Sequence, residues 1–195
     1  FGVLRRDRWL FLTVLGSAYF LFAGALVQMN VMSLGLHGLQ LESKGEIGAL
    51  AFALALGMGL GSLACGYLSR GKIEVGLVPL GALGMSVVSA VLASPHFGFA
   101  GVSVLLFLLG FSGGVYVVPL SAVLQYRSPA DMKGGMIATS NFVSFAGVLL
   151  AAVVYAALGY MGVGPYHVFV VVSLLTMVVG LYICWLLPVF LLRFI

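Results

Sequence analysis

From Trp9 onward the sequence runs in apolar stretches of about twenty residues or more, and no Asp, Glu, Lys or Arg falls in the middle of any of them. This feature constrains the fold more than any other. A helical stretch of that length spans the ~30 Å hydrocarbon core of a bilayer. Lipid offers backbone N–H and C=O groups no partners, so each run must satisfy its own hydrogen bonds as a helix. Charged residues make up 7% of the chain and hydrophobic residues 63%, with mean hydropathy +1.22, against roughly 25% charged in soluble domains. The expected class is an all-α integral membrane protein. The 27 glycines suit membrane helices, which approach closely through small residues.

Charges and turn residues divide the chain into six expected spans, at 9–34, 46–68, 76–94, 101–125, 135–158 and 166–187, forming one six-helix bundle over 1–195. The breaks LHGLQLESKGE, SRGKIEVG, SPHFGFAG, YRSPADMKGG and GYMGVGPYH carry the Gly, Pro, Ser and charged residues of turns. With the N-terminus inside, Arg5, Arg6, Arg8, Arg70, Lys72, Arg127, Lys133 and Arg193 are cytoplasmic and Lys44 alone is outside. That bias sets the expected topology, with both termini cytoplasmic. The first residues, FGVLRRDRWL, do not form a signal peptide, because the apolar run behind them is far too long. A chain beginning at Phe1 is expected to be a fragment or a processed piece.

The five acids, Asp7, Glu42, Glu46, Glu74 and Asp131, all fall in loops or at the N-terminal flank. Membrane-buried charge marks proton relays and ion paths, so this segment is not expected to be a proton-coupling unit or a small-ion channel. Cys65 and Cys184 lie in apolar segments and read as packing residues, with no metal or disulfide pattern. No cofactor or metal is expected. No basic face interleaved with aromatics appears, so no nucleic-acid partner is expected.

The stretch Gly110-Phe-Ser-Gly-Gly114 admits two readings. A GxSG serine on the fourth of six helices resembles the layout of rhomboid intramembrane proteases. That chemistry needs a base within hydrogen-bond reach of Ser112. His37 and His96 sit in outer loops, and His167 opens the sixth span about 15 Å away in depth from Ser112. The alternative is packing. Gly110 and Gly114 form a GxxxG face with Ser112 beside it, and Gly57 and Gly61 repeat the spacing in the second span. The packing reading is preferred, and the segment is not expected to be an enzyme.

Two cytoplasmic loops are more specific. Gly66-Tyr-Leu-Ser-Arg-Gly-Lys72 resembles the loop motif of the major facilitator superfamily, roughly GxLxDRxGRR; here the candidates are Gly66, Arg70, Gly71 and Lys72, with Ser69 where the motif often has an acid. Pro119-Leu-Ser-Ala-Val-Leu-Gln125, then Arg127-Ser-Pro129-Ala-Asp-Met-Lys133-Gly134, then Ile137-Ala-Thr-Ser-Asn141-Phe resembles bacterial lysophospholipid transporters, which read close to PLNALLQ…P…RG followed by A-x-NF. IEVGLVPLGALG (73–84) is also similar. LLPVFLLRFI (186–195) resembles the join to an acyltransferase in fused versions. The resemblance implies the C-terminal six-helix half of a twelve-helix transporter, each half built from 3+3 inverted repeats. Its partners would be the N-terminal half, membrane lipid and, in fused or associated form, an acyltransferase. Its place would be the bacterial inner membrane.

Substrate sites in that fold lie near the midplane between halves. The polar candidates are Tyr19, Gln28 and Asn30 in the first span, Ser112 and Tyr116 in the fourth, and Ser140, Asn141 and Ser144 in the fifth. None is charged. A mildly polar cleft suits an amphiphile, whereas phosphate capture favours Arg or Lys in the cavity. For each residue the competing role is an interhelical hydrogen bond. The implied function is inward movement of lysophospholipid, with lysophosphatidylethanolamine the expected cargo. The alternatives are drug or metabolite efflux on the same fold and a membrane anchor for a fused enzyme.

Overall fold

The computed structural model describes residues 8–69, 74–129 and 132–186. They form α1 (Arg8–Ser33), a π-helical turn (Leu34–Gly38), α2 (Lys44–Leu68), α3 (Leu77–Leu92), α4 (Phe99–Arg127), α5 (Lys133–Tyr160) and α6 (Pro165–Leu186). There is no strand among the described residues. Arg5, Arg6, Asp7, Arg70, Gly71, Lys72, Asp131, Arg193 and the segment 187–195 lie outside them.

Local chemistry sets the helix ends. Ser43 caps α2 by accepting from the Gly45 N–H, and Glu46 lies in its first turn, where the helix dipole favours an acid. Ser128 and Pro129 stop α4, because the residue before a proline avoids the helical region. Gly162 ends α5 at φ +71°, with the Val163 N–H on the Leu158 carbonyl and the Gly162 N–H on the Gly159 carbonyl. These two bonds make a Schellman-type cap, which needs the left-handed residue glycine supplies cheaply. Pro165 opens α6, where its missing N–H costs nothing.

Among the described residues, five helices are long and apolar enough to cross a membrane: α1 with its π turn, α2, α4, α5 and α6. This composition and length fit a multi-pass membrane protein. The expected third span, α3, is shorter, at 16 residues, or about 24 Å. The Ser94-Pro95 break stops it early. Eight of those sixteen residues are nonetheless buried, so α3 is a core helix. The first run also goes further than expected. The π turn carries helical structure through His37 and Gly38, into the expected break, and keeps Leu34 and Gly35 buried.

The helices alternate in direction. Tyr116 on α4 meets Gly16 on α1, Ser112 meets Gly84, Ser86 on α3 meets Ser173 on α6, and Asn30 on α1 meets Pro165 on α6, all in antiparallel register. The helix pairs in contact are α2–α4, α1–α5, α3–α4, α1–α6, α3–α6 and α1–α4, with slight contacts between α1–α2 and α4–α5. Exchanging α1 with α4, α2 with α5 and α3 with α6 maps this set onto itself. The α2–α4 and α1–α5 pairs trade places, as do α3–α4 with α1–α6 and α1–α2 with α4–α5; the remaining two pairs map onto themselves. The core lies around α1, α3, α4 and α6, including Leu26, Val78, Leu106 and Phe169. α2 and α5 are peripheral: their apolar windows are 17% and 11% buried, against 44%, 39% and 33% for α1, α4 and α6.

Candidate functional site

Six of the eight polar candidates, Tyr19, Gln28, Asn30, Ser112, Tyr116 and Asn141, divide by burial. Tyr116 is buried and donates to the Gly16 carbonyl at 3.2 Å, with its ring 6.0 Å from that of Phe20. Tyr19 is half-buried and shares a 2.6 Å hydrogen bond with Thr176 of α6. Asn30 is fully buried, and its Nδ2 donates to the Pro165 carbonyl at 2.8 Å. The Asn30 Oδ1 atom is buried with no partner. Ser112 is half-buried, donates to the Leu108 carbonyl on its own helix at 2.9 Å, and faces Gly84 of α3. Gln28 and Asn141 are exposed.

They also divide by depth. The Tyr116–Gly16 and Ser112–Gly84 contacts bring Tyr116, Tyr19 and Ser112 to nearly one level, within roughly 6 Å. On the parallel pair α1–α5, Gly147 lies against the Ala18 carbonyl. That register puts Asn141 level with Leu12, so Gln28 stands roughly 24 Å away along the helix axes. One head group cannot touch both amides at once. Ser140 and Ser144 are buried on the stripe of α5 that contains Gly147 and Ala151.

One hydroxyl pair that the sequence reading did not single out, Ser86 and Ser173, joins α3 and α6. Ser86 Oγ donates to the Ser173 carbonyl at 3.0 Å, and Ser173 Oγ donates to the Ser86 carbonyl at 2.8 Å. Thr176 Oγ1 reaches the Val172 carbonyl at 2.7 Å as well as Tyr19. The signal was present as two i, i+3 hydroxyl pairs, Ser86/Ser89 and Ser173/Thr176, on apolar helices. With Thr13, Tyr19, Tyr116, Ser140 and Ser144 they supply interior hydroxyls but no formal charge.

The glycines Gly57, Gly61, Gly110 and Gly114 lie in the α2–α4 contact. A Cβ at Gly57 or Gly61 would run into the backbone carbonyl of Phe107 or Phe111, and one at Gly110 or Gly114 into that of Leu54 or Met58. The backbones themselves touch along two turns of each helix, the geometry that small-xxx-small faces allow. Pro119 lies inside α4, one helical turn beyond Val115, and supplies no N–H to the Val115 carbonyl. Cys65 Sγ of α2 approaches that carbonyl at 3.9 Å.

Of the loop residues, Gly66 is exposed on the last turn of α2, Gln125 is exposed near the end of α4, and Pro129 follows it half-buried. Lys133 and Gly134 open α5, both exposed. Arg127 lies over the Trp9 ring, 5.2 Å from its centroid. His37, His96 and His167 are exposed; His96 Nδ1 is 2.6 Å from Ser94 Oγ. Among the described residues no group of His, Cys, Asp and Glu is arranged to hold a metal ion. Both cysteines are free, Cys65 buried and Cys184 half-buried. Comparisons with protein-family models, curated proteins and solved structures find no match for the chain.

Proposed function

We propose that this chain is one six-helix half of a transporter on the major facilitator plan, moving lysophospholipid across the bacterial inner membrane with both termini cytoplasmic. The observation that carries the reading is that the set of contacting helix pairs maps onto itself, with unequal extents, when helices one to three are exchanged for four to six. Three-helix units related in this way run in opposite directions, as inverted repeats do. The peripheral helices α2 and α5 exchange with each other, and both leave one side open to a second half.

The interior favours an amphiphile over a charged solute, since hydroxyls and amides reach it but, among the described residues, no Lys, Arg, Asp or Glu does. Tyr19, Asn30 and Tyr116 hold helices together through hydrogen bonds. Gln28 and Asn141 are the amides open to cargo. Their separation makes them successive stations on a path rather than two walls of one pocket. A head group leaving one meets the other after a change of access.

Inward movement of labelled lysophosphatidylethanolamine in vesicles holding the parent protein tests this, with Gln28→Ala and Asn141→Ala as variants. Each is expected to slow flux while the protein stays folded. Wild-type flux in both would remove the station assignment, and no flux from folded wild-type protein would remove the lipid cargo, leaving efflux or membrane anchoring.

A further inference from the structure

Helices α2 and α3 pack on α4, helices α5 and α6 pack on α1, and the two three-helix units meet along α3–α6 and α1–α4. On the first seam Ser86 and Ser173 bond each other in both directions. One turn further along the same face of α3, the Ser89 hydroxyl is fully buried and has no partner. A buried hydroxyl without a bond has lost its water for nothing, and such a group calls for a reason. On α6, Thr176 stands one turn beyond Ser173 and shares its hydroxyl with Tyr19 of α1. These hydroxyls match in a second register as well. Because α3 and α6 are antiparallel, a slide of three residues, about 4.5 Å, sets Ser89 against Ser173 and Ser86 against Thr176 at once. The same slide carries the Tyr116 hydroxyl of α4 from the Gly16 carbonyl toward Thr13, one turn back on the same face of α1. In this slide α3 and α4 advance toward the Trp9 end of the bundle. A cavity of about 30 Å³ lies there between α1, α3, α4 and α6, lined by Thr13, Leu12, Val78, Leu120 and Ile183 among others. Close-packed interiors leave few such voids, and this one stands where the two seams meet, on the side toward which Tyr116 moves.

We infer that the bundle has two registers, and that the unit α2–α3–α4 ratchets by one turn past the unit α5–α6–α1. The slide passes Thr176 from Tyr19 to Ser86. Each register leaves one hydroxyl over: Ser89 in this structure, the Tyr19 phenol in the other. That balance is what makes the two interchangeable, since packed helices step between discrete arrangements rather than drift. Contacts within each unit stay as they are. The glycine-lined α2–α4 contact moves as one body, and the bonds from Asn30 to Pro165 and from Tyr166 to Gly38 remain within the other. The slide does not depend on the transport reading. On that reading, it frees the Tyr19 hydroxyl for a cargo head group in one register only.

The test is an electron–electron distance measurement between nitroxides on Phe52→Cys and Trp185→Cys, in the full chain in lipid vesicles, with Cys184→Ala so that only the buried Cys65 remains. Phe52 of α2 and Trp185 of α6 are 66% and 81% exposed, so the labels leave the seams untouched. They stand near opposite ends of the two units, so the slide shortens their separation. Two distances are expected, differing by roughly 4 Å, the shorter one belonging to the second register. Tyr19→Phe releases Thr176 and is expected to raise the ratio of shorter to longer by about threefold, the usual worth of one interhelical hydrogen bond in a membrane. Ser89→Ala removes the hydroxyl that gains a partner by sliding and is expected to lower the ratio by about fivefold. A label pair within one unit, Phe52→Cys with Phe99→Cys, is expected to give one distance throughout. A single Phe52–Trp185 distance in the parent and both variants overturns the ratchet, as does an unchanged ratio or a shift of the same sign in Tyr19→Phe and Ser89→Ala. Splitting of the within-unit distance overturns it in favour of general loosening.

Discussion

Single glycines separate into two kinds. Gly61 and Gly110 have a neighbouring backbone where a Cβ would stand, whereas Gly59 and Gly66 have nothing within 4 Å. Gly61→Ala or Gly110→Ala is therefore expected to destabilise the chain by about 1–3 kcal/mol, as overpacking does. Gly59→Ala and Gly66→Ala should be neutral, or stabilising by about 0.5–1 kcal/mol. Thermal unfolding in detergent distinguishes the four variants. Tyr19→Phe removes the hydroxyl that meets Thr176 and is expected to cost about 0.6 kcal/mol, the usual worth of an interhelical hydrogen bond in a membrane. The GxxxG spacing could be read from the sequence because it is a local repeat. The direction in which Tyr19, Asn30 and Tyr116 point could not, because an apolar helix in lipid carries no polar face to mark its outside. Gln28 and Asn30 are two residues apart, yet one is exposed and the other fully buried.

At the scale of the element, α4 carries a proline that most helices would not tolerate. Pro119 deprives the Val115 carbonyl of its usual donor, and the Cys65 thiol of α2 comes near that carbonyl. A double-mutant cycle tests whether the two are linked. Cys65→Ala is expected to destabilise the wild-type chain more than it destabilises Pro119→Ala, in which the restored N–H occupies the carbonyl. Equal costs in both backgrounds would mean that Cys65 contributes packing alone. Helix-forming runs were plain in the sequence, because charge and Gly/Pro breaks fall where helices end. The short α3 was harder to see: hydropathy does not distinguish a buried core helix from a lipid-facing one, and Pro95 alone hinted at the early stop. The π turn also escaped, since its cause is tertiary. Tyr166 donates to the Gly38 carbonyl at 3.1 Å, and Ile47 fills the space beside Gly35.

For the whole molecule, the exchange of α1–α3 with α4–α6 relates helices whose sequences show little outward likeness, so it appears only when contacts are known. The symmetry is imperfect. The α2–α4 pair has glycines on both sides, whereas the equivalent α1–α5 pair has Gly147 facing the Ala18 carbonyl. Bulk is therefore expected to be tolerated better in the second pair. Gly147→Ala should cost less than Gly61→Ala when both are measured by thermal unfolding, and the reverse order would count against equivalent roles for α2 and α5. The same interleaving has a consequence for biosynthesis. Apart from the slight α1–α2 contact, the packing partners of the first three helices lie in α4, α5 and α6. A ribosome that has inserted α1 to α3 has thus delivered helices without their main partners. Assembly must wait for the second half of the chain, and quality-control proteases have the longest access to a product truncated near Phe97.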